Sequence, residues 1–153
     1  MKTTKFIWLP LFVGLAALSL TATPGHAAKK TAWHTGTPKA LRGTWYHNGT
    51  ADNKAYITYT AHKSVGNLFQ ESDTATAFYK LPGYGLKKLT YRKLSKHVYQ
   101  LSGIQYSPKG AKVQFDGQRM TYKVKVLSKH RLHFYKGYVS YVKQPTFTIV
   151  AHH

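Results

Sequence analysis

The stretch RMTYKVKV, residues 119–126, alternates apolar and polar side chains along its whole length. Its even-numbered residues are Met, Tyr, Val and Val, and its odd-numbered residues are Arg, Thr, Lys and Lys. Because successive side chains of a β-strand point to opposite faces, this pattern predicts a strand with one face in a core and the other in water. The prediction places Arg119, Lys123 and Lys125 together on an outer, cationic face.

The chain from residue 41 onward consists of similar short segments separated by turn residues. We predict further strands at residues 43–47, 55–60, 75–81, 86–94, 97–106, 131–136, 138–143 and 147–150. Residues 62–73 are ambiguous, because Val65, Leu68 and Phe69 would fit one amphipathic helical turn whereas Gly66 would weaken it. Regular short strands with turns between them indicate an all-β, antiparallel sandwich or barrel with little or no helix.

Two turn patterns refine this expectation. Asp116-Gly117 precedes the strand at 119–126, and such a pair is typical of a two-residue hairpin turn, which would join residues 113–115 to that strand. The segments LTYRKLSKHVYQLSG, from Leu89, and MTYKVKVLSKHRLHFYKG, from Met120, share Thr-Tyr-base followed by Leu-Ser-Lys-His. We interpret them as two hairpins with the same tip chemistry; chance similarity in a chain rich in lysine and tyrosine is the alternative.

The N-terminus has the three parts of a secretory signal peptide. A basic start with Lys2 and Lys5 precedes an apolar run at residues 6–20, and small residues at Gly25 and Ala27 suit cleavage after Ala27. A retained membrane anchor is the alternative, but a spanning helix needs about 20 apolar residues. We therefore expect a signal peptide at 1–27, a flexible leader at 28–40 and a single domain at 41–153. The product would be extracellular, without stable membrane insertion after cleavage.

Charge is the second strong feature of the sequence. The chain of 153 residues has 23 Lys and Arg against four acids, a formal net charge of +19 at pH 7. Such a field attracts polyanions, although a merely solubilising surface is the alternative. We expect non-enzymatic binding to anionic cell-wall polymers of the teichoic-acid type. The residues expected to carry it are Lys87, Lys88, Arg92, Lys93, Arg119, Lys123 and Lys125.

The stretch LRGTWY, residues 41–46, stands where the leader gives way to the first predicted strand. Its Gly43-x-Trp45 resembles the signature of lipocalins and related calycins, and the leader resembles that of small secreted proteins of lactic-acid bacteria. The resemblance implies an eight-stranded antiparallel barrel whose base is closed by the tryptophan, with a basic side chain over the indole. We expect Arg131 to be that basic residue, with Arg119 as the alternative.

The same resemblance implies a second function, the carriage of a small apolar ligand inside the barrel. Besides Trp45, the expected lining residues are Tyr59, Tyr122, Val124 and Phe134. A wall-acting enzyme is a third possibility, but the four acids are scattered and the chain has no cysteine. We therefore assign no catalytic residue, metal ligand or cofactor, and we expect a monomer that does not bind nucleic acid.

Overall fold

A computed structural model describes residues 31–50, 53–108, 113–136 and 140–151. The secondary structure there is almost entirely β, with one short 3-10 helix at Lys39–Leu41. The strands are β1 (His34–Thr35), β2 (Gly43–Asn48), β3 (Lys54–Tyr59), β4 (Ser64–Glu71), β5 (Phe78–Lys80), β6 (Tyr84–Ser95), β7 (Val98–Tyr106), β8 (Arg119–Ser128), β9 (Arg131–Phe134) and β10 (Tyr141–Val142).

Eight of these strands close into an antiparallel barrel. The hydrogen-bonded order runs β6-β7-β8-β9-β10-β2-β3-β4, and β4 pairs again with β6 to complete the ring. β1 lies beside the second half of β6, and β5 lies beside the end of β4. The predicted all-β barrel is therefore confirmed.

The seam between β4 and β6 depends on Gly85. This residue pairs with Val65, and a Cβ added to it would collide with the backbone oxygen of Ser64. A side chain at this position would therefore push the two strands apart. Closure of the ring requires the glycine.

The antiparallel strands give the barrel two distinct ends. The base is the end with the hairpin turns β3–β4, β6–β7 and β8–β9, and the mouth is the end with the β2–β3 and β7–β8 connections. The most buried core side chains lie toward the base and include Leu41, Trp45, Leu89, Leu101, Val124 and Leu132, each 0% exposed. Burial of these six side chains stabilises the closed ring.

A second apolar cluster lies outside the barrel. Tyr56 on β3, Phe69 on β4 and Phe78 on β5 are buried there under Phe147 and Ile149 of the C-terminal segment. The segment is held by backbone hydrogen bonds, including Val150 N to Phe78 O at 2.8 Å. The strand predicted at 147–150 is thus reduced to a single parallel bridge between Phe78 and Ile149.

The leader prediction is wrong where the structure describes it. His34 and Thr35 pair with β6, Thr37 is 1% exposed, and the 3-10 turn that follows buries Leu41 completely. The folded domain therefore begins before residue 41. Polar composition concealed this, because β1 is held by backbone hydrogen bonds that need no apolar side chain. The expected signal peptide at 1–27 lies outside the described residues.

Two other local expectations are settled by the sheet. The ambiguous region 62–73 forms β4, paired with β3, β5 and β6. Residues 113–115 form no strand; β8 pairs instead with β7, and Gly117 occupies a turn with φ of +77°. The Asp-Gly pair therefore does form a turn, but this turn lies within the longer connection between β7 and β8. No helix in the described residues is long and apolar enough to cross a membrane.

Candidate functional site

The outer surface of β6, β7 and β8 carries a group of cations that we call the cationic wall. On β8, Lys123 and Lys125 are exposed while Val124 between them is fully buried, as the alternation predicted. On β6, the outward positions hold Lys87 and Arg92. The wall consists of Lys87, Arg92, Arg119, Lys123 and Lys125.

Strand register arranges the wall in rows that cross β7. Two of these rows have a cation at each end: Lys87–Ile104–Arg119 and Arg92–Gln100–Lys123. Cations in one row are two strands apart, or about 10 Å, and the rows are separated by about 13 Å along β8. The four charges therefore frame a shallow rectangle, with Lys125 beyond it toward the base.

Hydroxyl groups occupy the middle of this rectangle. Ser102 on β7 is 6% exposed and lies between Thr90 and Thr121. Its Oγ accepts hydrogen bonds from Arg119 Nη1 at 3.3 Å and from Thr121 Oγ1 at 3.1 Å. The bond from Arg119 helps to hold that guanidinium against the sheet.

Arg92 is also held in place. Its Nε donates to Gln100 Oε1 at 2.7 Å, and its guanidinium carbon lies 5.1 Å from the ring centroid of Trp33. Stacking on an aromatic face and a side-chain hydrogen bond both restrict the rotamers of an arginine. These two contacts hold Arg92 in a defined direction on the outer face of β6.

Two predicted wall residues lie elsewhere. Lys88 sits in a β-bulge with φ of +52° and is exposed. Lys93 lies two residues after Tyr91, whose ring packs against the core, so Lys93 has inward parity but is exposed at the base rim. The prediction ignored the bulge, which shifts the alternation on β6.

Carboxylates are separated from the wall. The three acids in the described residues are Glu71 at the mouth end of β4, Asp73 in the β4–β5 connection and Asp116 in the β7–β8 connection. All three are exposed, and none lies on the strands of the wall. The strands of the wall therefore carry cations and no described carboxylate.

Gly43, Trp45 and Lys143 close the base as one unit. The Lys143 Nζ lies 3.7 Å from the Trp45 ring centroid and donates to Arg42 O at 3.0 Å. The indole Nε1 donates to Leu41 O at 2.6 Å. Gly43 has φ of +107°, and a Cβ on it would lie 2.8 Å from Lys143 Nζ. Burial lowers the pKa of Lys143.

The basic residue over the indole is therefore Lys143, and the prediction of Arg131 is wrong. Arg131 is exposed at the start of β9 and has the parity opposite to Leu132, which is buried in the core. Lys143 follows the buried Tyr141 by two residues, so it continues the inward parity. That alternation was the sequence signal for Lys143.

The barrel is packed at the base but hollow toward the mouth. A cavity of about 450 Å³ lies within its mouth half. We call it the mouth cavity; its lining includes Ala55, Leu68, Leu86, Gln105, Met120 and Tyr122. A second cavity of about 490 Å³ lies beside β8 where β9 ends, and Phe134 and Lys123 line it.

The predicted ligand-lining residues divide between these regions. Tyr122 lines both cavities and Phe134 lines the second, whereas Tyr59 and Val124 belong to the packed core. The hydroxyl groups of Tyr59 and Tyr122 are hydrogen-bonded at 2.6 Å. Burial, as the main cause, raises the pKa of both phenols. A hydrogen bond between two uncharged hydroxyl groups therefore connects the packed core with the lining of the cavities.

Gln105 is a cavity residue that sequence analysis did not identify. It is 5% exposed and lines the mouth cavity. The available signal was its inward parity with Leu101 on β7. Within the described part of the chain, no group of three or more potential metal ligands is found.

Comparisons with known proteins find no relative: no protein-family model matches the chain, and no curated protein or solved structure matches it.

Proposed function

We propose that this protein is secreted and binds anionic cell-wall polymers of the teichoic-acid type without catalysing a reaction. The observation that supports the proposal is the cationic wall, in which paired cations face each other across β7 and no described acid intervenes. Phosphates along a flexible polymer can meet several of these cations at once. Such binding needs no enclosed pocket.

The residues have different roles in the proposed complex. Arg92 and Arg119 are held by hydrogen bonds to Gln100 and Ser102, so they present N–H donors in a defined direction. Lys123 and Lys125 are exposed and would act as mobile point charges. Because these interactions release counterions, affinity should fall on the order of tenfold or more when salt rises from about 0.1 to about 0.3 M.

The test is salt elution from purified, teichoic-acid-bearing cell walls. We expect Lys123→Gln/Lys125→Gln to elute at lower salt than the unmodified protein. The matched control is Lys39→Gln/Lys63→Gln, which removes two exposed lysines outside the wall and changes the net charge equally. Equal shifts for both variants would show that net charge alone attracts the polymer, and retention through molar salt would rule out the electrostatic mechanism.

A second candidate function, the carriage of a small ligand, is favoured by the mouth cavity. The Gln105 carboxamide in its lining offers both a donor and an acceptor to a ligand with a hydroxyl, carbonyl or amide group. The described lining of the mouth cavity contains no charged side chain, and its volume is within the usual range for small-molecule sites. We propose an uncharged, mostly apolar ligand for this cavity.

This second proposal is tested with the neutral fluorescent probe N-phenyl-1-naphthylamine. We expect saturable binding that Ala55→Phe abolishes, because that ring would project into the mouth cavity. The control is Thr58→Phe, which adds a ring to the outer face of the same strand. Absence of saturable binding, or equal binding by both variants, would contradict the proposal.

A further inference from the structure

The two Leu-Ser-Lys-His sequences form equivalent hairpin tips at the base of the barrel. Residues 94–97 turn β6 into β7, and residues 127–130 turn β8 into β9. Each tip has a register shift at its serine, at Lys93/Ser95 in one and Val126/Ser128 in the other. The sequence similarity is therefore a structural one, and the interpretation as two hairpins is confirmed.

Each tip exposes its leucine. Leu94 is 38% exposed and Leu127 is 47% exposed, although both belong to strands whose inward residues are well packed. Both leucines lie in the register shifts of the tips and follow residues of the cationic wall, Arg92 two residues before Leu94 and Lys125 two residues before Leu127. Two exposed leucine side chains therefore lie at the base end of the wall.

The two tips are close neighbours. β7 pairs with β8 at Val98 and Lys125, and Val126 N donates to His97 O at 2.9 Å. The leucines are two strands apart, which corresponds to about 10 Å. Trp33, 45% exposed and stacked on Arg92, adds a third apolar group on the same side of the molecule.

Cations surround these apolar groups. Lys93, Lys96, Lys129 and Arg131 are exposed at or beside the two tips, and the described acids lie toward the mouth. A surface with exposed apolar side chains among cations is complementary to an anionic lipid bilayer, where headgroup phosphates cover an apolar interior. A soluble anionic polymer would pair with the cations but would provide no apolar environment for the leucine side chains.

We infer that the base of the barrel docks peripherally on anionic lipid bilayers. Leu94 and Leu127 enter the boundary between headgroups and acyl chains, and the lysines of the tips contact lipid phosphates. The tips are too short to span a membrane, so the contact is interfacial and reversible. This function is additional to polymer binding by the wall and does not depend on it.

The test is co-sedimentation of the processed protein, recovered from culture medium, with vesicles of phosphatidylglycerol and phosphatidylcholine. We expect binding to these vesicles but not to pure phosphatidylcholine. Leu94→Ser/Leu127→Ser should bind about tenfold more weakly, because the variant lacks the two leucine side chains whose partial transfer from water into the bilayer stabilises the complex. Phe115→Ser/Val150→Ser is the matched control, since it removes exposed apolar groups elsewhere, and it should bind like the unmodified protein.

Elution from purified cell walls is measured on the same variants. The leucine variant should elute normally, because its charge is unchanged, and its thermal unfolding should match that of the control. Unchanged vesicle binding by the leucine variant, or no vesicle binding by the unmodified protein, would overturn bilayer docking. Failure of polymer binding would instead appear as loss of cell-wall retention in the unmodified protein.

Discussion

At the residue scale, Gly43, Trp45 and Lys143 form one set of mutually dependent contacts at the base. The ammonium lies 3.7 Å from the indole centroid, at a place that a Cβ on Gly43 would approach to 2.8 Å. A glycine two residues before the tryptophan thus leaves room for the lysine as well as permitting φ of +107°. A cation–π contact of this kind contributes about 1 kcal/mol.

We predict that Gly43→Ala lowers the free energy of unfolding by about 2–3 kcal/mol, through backbone strain and displacement of Lys143. Gly117→Ala is the control, because Gly117 has φ of +77° but nothing within 4 Å of an added Cβ. It should cost only about 1 kcal/mol. Urea unfolding measures both.

A double-mutant cycle separates the two causes in Gly43→Ala. In a Lys143→Met background, the cost of Gly43→Ala should fall toward that of Gly117→Ala, because the ammonium contact is already lost. An unchanged cost would show that backbone strain accounts for all of it and that Lys143 has no part.

At the scale of elements, the barrel is joined across its interior as well as around its wall. Tyr59 ends β3 and Tyr122 lies in the middle of β8, and their hydroxyl groups meet at 2.6 Å. Burial raises the pKa of both phenols, so the folded state keeps them neutral. The pair connects opposite sides of the closed ring.

This pair predicts a loss of stability in alkali. Above about pH 10 the unfolded chain releases the tyrosine protons while the folded chain retains them, so unfolding becomes more favourable as pH rises. The stability is present below that pH and should fall by up to about 1.4 kcal/mol per pH unit for each tyrosine. Urea unfolding between about pH 8 and 11.5 measures the slope.

Tyr59→Phe/Tyr122→Phe should flatten this slope. The comparison is made in a Lys143→Met background, since the lowered pKa of Lys143 makes stability rise with pH below the ordinary lysine value, which is the opposite sign. The same slope with and without the two hydroxyls would mean that other groups cause the alkaline loss.

At the scale of the whole molecule, packing is polarised along the barrel. The base half holds the fully buried core, whereas the mouth half contains a cavity of about 450 Å³. Cations lie at both ends, since Lys54 begins β3 at the mouth, whereas the described acids lie toward the mouth alone. The two ends of the molecule therefore differ in packing.

Packing polarity predicts different responses to added volume. Ala55→Phe should change the free energy of unfolding by less than about 1 kcal/mol, because the mouth cavity can accept the ring, whereas Val124→Phe should cost about 1–3 kcal/mol in the packed half. Val124 is 0% exposed and Ala55 is 2% exposed, so burial alone would not separate them. Equal costs, measured by urea unfolding, would contradict a hollow mouth.

Alternation along the chain was enough to predict the all-β class and the outward lysines of β8, because a strand's two faces follow directly from a period of two. The repeated Leu-Ser-Lys-His segments predicted the two similar hairpins. It failed on β6, where the bulge at Lys88 shifts the parity, and on β1, whose two residues show no pattern. Gln105 and Lys143 were missed because both are polar residues at inward positions.

Sequence by itself therefore determined the all-β class, the two faces of β8 and the strong positive charge, since these are properties of local order and residue type. Only the tertiary structure decided that β4 closes on β6, that Lys143 rather than Arg131 covers Trp45, and that the mouth is hollow. These depend on register between strands distant in the chain. Register is set by side-chain packing and by backbone contacts such as the one at Gly85, which no local pattern records.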